Sequence, residues 1–149
     1  MSNLKVQGNA SGSGTTTLQS PNTSTSATIT LPDSTSADTL GYLNAPINSQ
    51  SAAYTAVAAD AGKIIFHPST DANARTFTIP ANSSVAYDTG TVLTFINMTS
   101  QVVTIAITSD TMYLASTGST GSRSLAQYGI ATAVKITSTT WLISGTALT

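Results

Sequence analysis

The sequence lacks cysteine and glutamate, and it contains few charged residues of either sign. Among its 149 residues only 7% are charged, against about 25% in ordinary soluble domains. Without cysteine the chain has no disulfides and no thiolate metal ligands. Its five Lys and Arg residues are dispersed and cannot form the basic stripe that neutralises nucleic-acid phosphates. We therefore expect no nucleic-acid partner.

Long apolar runs are also missing. The longest apolar stretches are a few residues each, far short of the roughly 20 that a membrane-spanning helix needs. The first residues, Met1–Gly8, do not have the apolar region of a signal peptide. We therefore expect no membrane partner.

Serine and threonine make up about a third of the chain and dominate its first 45 residues. A Ser/Thr/Gly-rich segment cannot bury an apolar face of its own, so residues 1–45 are predicted to form an extended arm that needs a partner surface to become ordered. Within this arm, Ala27–Pro32 alternates small or apolar residues with threonine. This pattern predicts one short strand, which ends at Pro32.

Residues 46–149 have the pattern of a compact β domain. Short segments of alternating polarity are separated by polar turns, and no stretch of ten or more residues shows a capped helical stripe. The sequence therefore predicts an all-β fold, either an antiparallel β-sandwich of jelly-roll type or a barrel, preceded by the arm. The predicted strands are Lys63–His67, Thr76–Ile79, Thr91–Asn97, Val103–Thr108, Met112–Leu114, Ala131–Thr137 and Thr140–Ser144.

Three segments of this domain resemble a β module of structural proteins from tailed bacteriophages. They are YTAVAADAGKII (residues 54–65), FTIPANSSVAYDTGTVLT (residues 77–94) and LAQYGIATAVKITSTTWLISG (residues 125–145). The arm, with GNASGSG at residues 8–14 and TITLPD at residues 28–33, is similar to a short repeat of phage fibre proteins. The order and spacing of these segments carry the resemblance.

The resemblance implies a structural protein on the outer surface of a phage particle, not an enzyme, with no cofactor. One form is a capsid decoration (cement) protein or head fibre, attached through its arm to the major capsid protein. The other is a short tail fibre or tail-tip protein that binds a host surface glycan. The short chain and the strand-forming arm favour the first form. Proteins of both kinds are commonly homotrimers, so a homotrimer is expected.

Asp88-Thr89-Gly90 is the segment closest to a catalytic motif, because dimeric aspartic proteases carry one such triplet per chain. The residues after it, Thr91 and Val92, differ from the Ala or Ser and then Asp that usually follow in that family. The triplet also lies where the chain needs a turn before the next strand. We interpret it as a turn and predict no catalytic residues.

The single histidine, His67, is interpreted as a structural or surface residue. One histidine without cysteine or glutamate cannot complete a zinc site within one chain, so no metal site is predicted. Asp71-Ala72-Asn73 offers oxygen ligands but lacks the acid density of a calcium loop, which favours a polar connection between strands.

Four glycosylation sequons, at Asn9, Asn22, Asn82 and Asn97, are near the number that this composition gives by chance. Asp60-Ala61-Gly62 is predicted to form a tight turn in which Gly62 takes a positive φ. The lone tryptophan, Trp141, is predicted to anchor one sheet against the other. The tyrosines could contribute to a glycan platform, although single tyrosines on strands more often lie at core rims or subunit contacts; they are Tyr42, Tyr54, Tyr87, Tyr113 and Tyr128.

Overall fold

The computed structural model describes residues 44–149. About half of these residues lie in strands, and none lies in an α-helix. One 3-10 turn, Ala58–Asp60, interrupts the series. The strands are β1 (Ile47–Ser49), β2 (Tyr54–Thr55), β3 (Ile64–His67), β4 (Arg75–Ile79), β5 (Val92–Asn97), β6 (Val103–Ile107), β7 (Thr111–Leu114), β8 (Arg123–Thr137) and β9 (Thr140–Leu148).

The first six strands form two columns of parallel pairings. In the first column β1 pairs with β3 and β3 with β5. In the second column β2 pairs with β4 and β4 with β6. The chain alternates between the columns, so each pass adds one strand to each column. This path resembles three coils of a short solenoid, in which each coil is stabilised by its neighbour.

The long strand β8 joins the two columns. Its first residues pair antiparallel with β6, and its later residues pair antiparallel with β5. On its other side β8 forms a hairpin with β9, and β7 pairs parallel with β9. The register between β8 and β9 shifts between Leu125 and Ile130, where β8 changes partner. The result is one curled, half-barrel sheet.

The core lies on the concave side of this sheet. Strand alternation directs Ile65 and Phe95 inward from the first column and Phe77 and Ile105 inward from the second. The His67 ring contacts Phe77 edge-to-face at 5.8 Å between ring centroids, which joins β3 to β4 across the interior. Trp141 is fully buried and meets Tyr87 in a similar geometry at 5.7 Å. Trp141 is therefore a core residue, but the prediction that it anchors one sheet against another is wrong, because the described strands form a single sheet.

The all-β prediction is confirmed, and the curled sheet is closest to the barrel alternative. The pairing direction differs from the expected antiparallel one, because the pairings of β1 to β6 with one another and of β7 with β9 are parallel. The physical reason is that each connection within a column contains a strand of the other column, which returns the chain in the same direction. Except for Asn44 and Ala45, the predicted arm lies outside the described residues, and so does its strand at Ala27–Pro32.

Candidate functional site

Two groups of polar residues, each built around buried side chains, have the side-chain chemistry of a site. The first, called the His67 cluster, consists of His67, Asp71, Asn73 and Arg75. His67 ends β3, Arg75 begins β4, and the seven-residue connection between these strands carries the other two. The second, called the Lys135 cluster, lies under β8 and β9 and consists of Asn82, Tyr87, Asp110, Lys135 and Trp141.

The Asp71 carboxylate is the centre of the His67 cluster. It accepts hydrogen bonds from Arg75 Nε at 2.7 Å and Asn73 Nδ2 at 2.6 Å, and it lies 3.0 Å from His67 Nε2. The hydrogen bond from Arg75 is the largest cause that holds the pKa of Asp71 well below its ordinary value, and those from Asn73 and His67 add to it. Asp71 in turn raises the pKa of Arg75. The loop is a charged clamp that ties two consecutive strands.

The His67 cluster does not contain an activated nucleophile. The imidazole is fully buried, and its Nδ1 has no hydrogen-bond partner among residues 44–149. A hydrolytic triad needs a hydroxyl or thiol within hydrogen-bond distance of the free imidazole nitrogen. The geometry of His67 fits its predicted structural role, and that of Asp71–Asn73 fits a polar connection between strands.

The Lys135 cluster places a buried amine among neutral acceptors. Lys135 is 1% exposed. Its Nζ donates to Asn82 Oδ1 at 2.6 Å and to the Tyr87 carbonyl at 2.8 Å, and it lies 5.7 Å from the centre of the Trp141 ring. The Asp110 carboxylate accepts the backbone N–H of Asn82, with both oxygens at 3.2 Å.

Three separate parts of the chain assemble this cluster. Lys135 is on β8, and its partner in register on β9 is Trp141. Asn82 and Tyr87 lie on the connection between β4 and β5, and Asp110 directly precedes β7. Neither the role of Lys135 nor its contact with Asn82 was predicted from the sequence. Strand alternation could have predicted that Lys135 is buried. Lys135 lies two residues after Ala133 and four after Ala131, so its side chain is on the same side of β8 as these buried residues.

A third buried carboxylate, Asp60, has a purely local role. It accepts hydrogen bonds from Asn48 Nδ2, from the Tyr54 hydroxyl at 2.7 Å and from the Val57 backbone N–H at 2.9 Å. Burial and the bond to Asp60 raise the pKa of Tyr54. Gly62 has a φ of 74°. The turn predicted at Asp60–Gly62 is therefore confirmed.

The turn predicted at Asp88–Gly90 is also confirmed. The Thr91 N–H donates to the Asp88 carbonyl at 3.1 Å, and Gly90 has a φ of 93°. Asp88 and Thr89 are exposed on this turn.

The asparagine and tyrosine candidates occupy different environments. Asn97 is fully buried, and its Nδ2 donates to the carbonyls of Gln101 and Leu125. Tyr54 and Tyr87 point inward, and burial is the largest cause that raises the pKa of Tyr87. Tyr113 and Tyr128 are exposed. Asn9, Asn22 and Tyr42 lie outside the described residues.

The convex side of the sheet carries two rows of apolar side chains, which we call the outer face. In one row Phe66 of β3, Ile96 of β5 and Ile130 of β8 are neighbours in register. In the other row Val92, Val134, Leu142 and Tyr113 are neighbours across β5, β8, β9 and β7. Between the rows lie Thr94, Thr132 and Ser144. These rows contain no charged residue.

Within residues 44–149 no group of three or more His, Cys, Asp or Glu side chains is placed to hold a metal ion. That part of the chain also has no helix long and apolar enough to cross a membrane. No protein-family model matches the chain, no curated protein matches it, and no solved structure matches it.

Proposed function

We propose that this chain is a structural component of a bacteriophage particle. In this proposal it is a capsid decoration protein or head fibre on the outer capsid surface. The resemblance of residues 54–65, 77–94 and 125–145 to phage β modules supports the proposal. The all-β half-barrel fits the rigid, non-catalytic domain that such a role requires.

The outer face is the observation that carries the proposal. Ile130, Leu142, Tyr113 and Val92 are each between 37% and 44% exposed. Contiguous apolar rows without charge are a feature of surfaces that become buried on association. Removing water from the Ser and Thr side chains between these rows costs less free energy than burying an unpaired charge. We propose that copies of this chain meet through the outer face as a homotrimer.

The arm supplies the second contact in this proposal. Residues 1–45 are rich in Ser, Thr and Gly and contain one strand-forming segment, Ala27–Pro32. An extended segment of this kind can add a strand to the exposed sheet edge of a neighbour, where main-chain hydrogen bonds provide the affinity. The neighbour we propose is the major capsid protein.

Gold-conjugated antibody against the chain, applied to intact particles and viewed by negative-stain electron microscopy, tests this assignment. Gold distributed over the heads is the expected result. Gold at the tail tip would replace it with the tail-fibre assignment. Particles without gold, alongside a labelled recombinant chain as positive control, would contradict a role on the particle surface.

A specific observation supports the tail-tip alternative, in which the chain binds a host glycan. Tyr128 is 69% exposed and has a φ of 60°, in the irregular part of β8 where the register with β9 shifts. A non-glycine residue with positive φ is uncommon and often accompanies function. A protruding aromatic ring suits stacking against the apolar face of a sugar. If gold labels the tail tip, Tyr128→Ala becomes the variant to test for loss of host adsorption, with Gln127→Ala, at the exposed neighbouring position, as its matched control.

A further inference from the structure

The Lys135 cluster contains a reactive pair. Lys135 Nζ is a buried amine, and within residues 44–149 no carboxylate lies within 4.0 Å of it. Neutral acceptors and an aromatic ring surround it. The lone pair of the amine nitrogen is the nucleophile of lysine, so its placement beside a carbonyl carbon is the geometric requirement for reaction.

An electrophilic carbon lies directly beside this amine. The separation of 2.6 Å between Lys135 Nζ and Asn82 Oδ1 is shorter than the roughly 2.9–3.0 Å of a typical N–H···O hydrogen bond. The carboxamide carbon Cγ of Asn82 is bonded to this oxygen, so Cγ is only one covalent bond away from the atom that contacts Lys135 Nζ. Two reactive groups held in this way gain a large rate advantage over the same groups in solution.

The surroundings hold both partners in place. The hydrogen bonds from the Asn82 backbone to Asp110 fix the connection that carries the asparagine, which is half-buried. The Tyr87 carbonyl orients Nζ at 2.8 Å, and the buried Trp141 ring covers the amine.

We propose that Lys135 and Asn82 join in an intramolecular isopeptide bond. The lone pair of the uncharged Nζ attacks Cγ of Asn82, which gives a tetrahedral intermediate. A proton then passes from Nζ to Nδ2, the Cγ–Nδ2 bond breaks, and ammonia leaves. The product is a secondary amide between Nζ and Cγ, and no oxidant, reductant or further reactant is consumed.

This bond would tie the connection between β4 and β5 to the long strand β8. It closes a covalent loop between residues 82 and 135, which restricts the unfolded chain much as a disulfide does. A chain without cysteine cannot form a disulfide, so an amide cross-link is a route to covalent reinforcement. The inference depends on the Lys135 cluster alone, and it stands whether or not the chain is a phage protein.

Intact-mass spectrometry of the purified 149-residue chain tests the proposal. We expect a mass about 17 Da below that calculated from the expressed sequence, which corresponds to one lost ammonia. The variants Lys135→Met and Asn82→Ala should each show their full calculated mass, and this readout does not require them to fold stably. Lys63→Met is the matched control, because it removes a lysine outside the cluster and should keep the deficit.

Tryptic digestion of the denatured protein locates the bond. In the cross-linked chain Lys135 resists cleavage, so peptide 76–123 should appear joined to peptide 124–149. A full calculated mass with separate peptides 124–135 and 136–149 would overturn the proposal and leave a hydrogen bond only. A deficit that persists in Lys135→Met would assign the lost ammonia to a succinimide at an asparagine, which would also overturn it.

Discussion

At the residue scale, three connections between strands are each tied down by a buried aspartate. Asp60 binds the N–H of Val57, Asp71 binds the side chain of Arg75, and Asp110 binds the N–H of Asn82. The chain has only six acids, and three of them are buried in these positions. Buried carboxylates are tolerated where hydrogen bonds replace their lost hydration. These residues therefore stabilise the connections.

Asp71 makes the stability of the domain depend on acid pH. Folding lowers the pKa of its carboxylate, mainly through Arg75, below the ordinary value of 3.8. Its contribution is therefore complete above the unfolded pKa and is lost as the pH falls through the folded value. We expect Asp71→Asn to be less stable than wild type at pH 7 and to lose less stability between about pH 5 and pH 2.

Urea-unfolding midpoints measured across this pH range provide the test. Asp88→Asn, at an exposed turn position, is the matched control for the loss of one negative charge. An Asp71→Asn variant with the same acid-dependent loss as wild type would show that the clamp does not stabilise the fold.

At the scale of the elements, β8 organises the sheet because it pairs with three strands. It accepts β6 and then β5 along one edge and β9 along the other. The change of partner requires an irregular segment, and the shift between Leu125 and Ile130 supplies it. Gly129 and Gly145 allow the backbones to approach closely near this segment of β8 and β9. A Cβ on Gly129 would lie 2.6 Å from Leu125 Cδ1, and a Cβ on Gly145 would lie 2.2 Å from the Ile130 carbonyl oxygen.

Gly145→Ala adds only one methyl group, but it should destabilise the domain strongly. The added Cβ meets backbone atoms of Ile130 and Ala131, which cannot move aside as a flexible side chain would. We expect the free energy of unfolding to fall by about 1–3 kcal/mol, the usual cost of overpacking a close contact. Equilibrium unfolding in urea measures it, and the exposed neighbour Ser144→Ala is the control. Equal stability of Gly145→Ala and wild type would contradict the close approach of β8 and β9.

Part of this architecture could be predicted from the sequence. Period-2 alternation located the strands from β3 to β7 and β9, because one side of each faces the core. It could not determine parallel or antiparallel pairing, since both directions give the same alternation. The 15-residue β8 was predicted only from Ala131 onward, because Gln127, Tyr128 and Gly129 interrupt its pattern. The contact between Asn82 and Lys135 joins residues 53 positions apart, and no local pattern predicts such a contact.

At the scale of the whole molecule, we propose that association depends on the outer face and the arm. The outer face contributes apolar rows without charge, centred on Ile96 and Ile130 in one row and Val134 and Leu142 in the other. A lysine introduced at Ile130 would place a charge inside the proposed contact, where desolvation is costly. The same substitution at Ser138, in the exposed turn between β8 and β9, changes the charge equally without touching this face.

The number of copies of the chain in purified particles tests the central claim most directly. Particles carrying wild type, Ile130→Lys or Ser138→Lys in place of the original chain can be purified on a density gradient and analysed by quantitative mass spectrometry. We predict a fixed, multiple copy number for wild type and Ser138→Lys, and a loss of at least about tenfold for Ile130→Lys. Absence of the wild-type chain from purified particles would contradict the account.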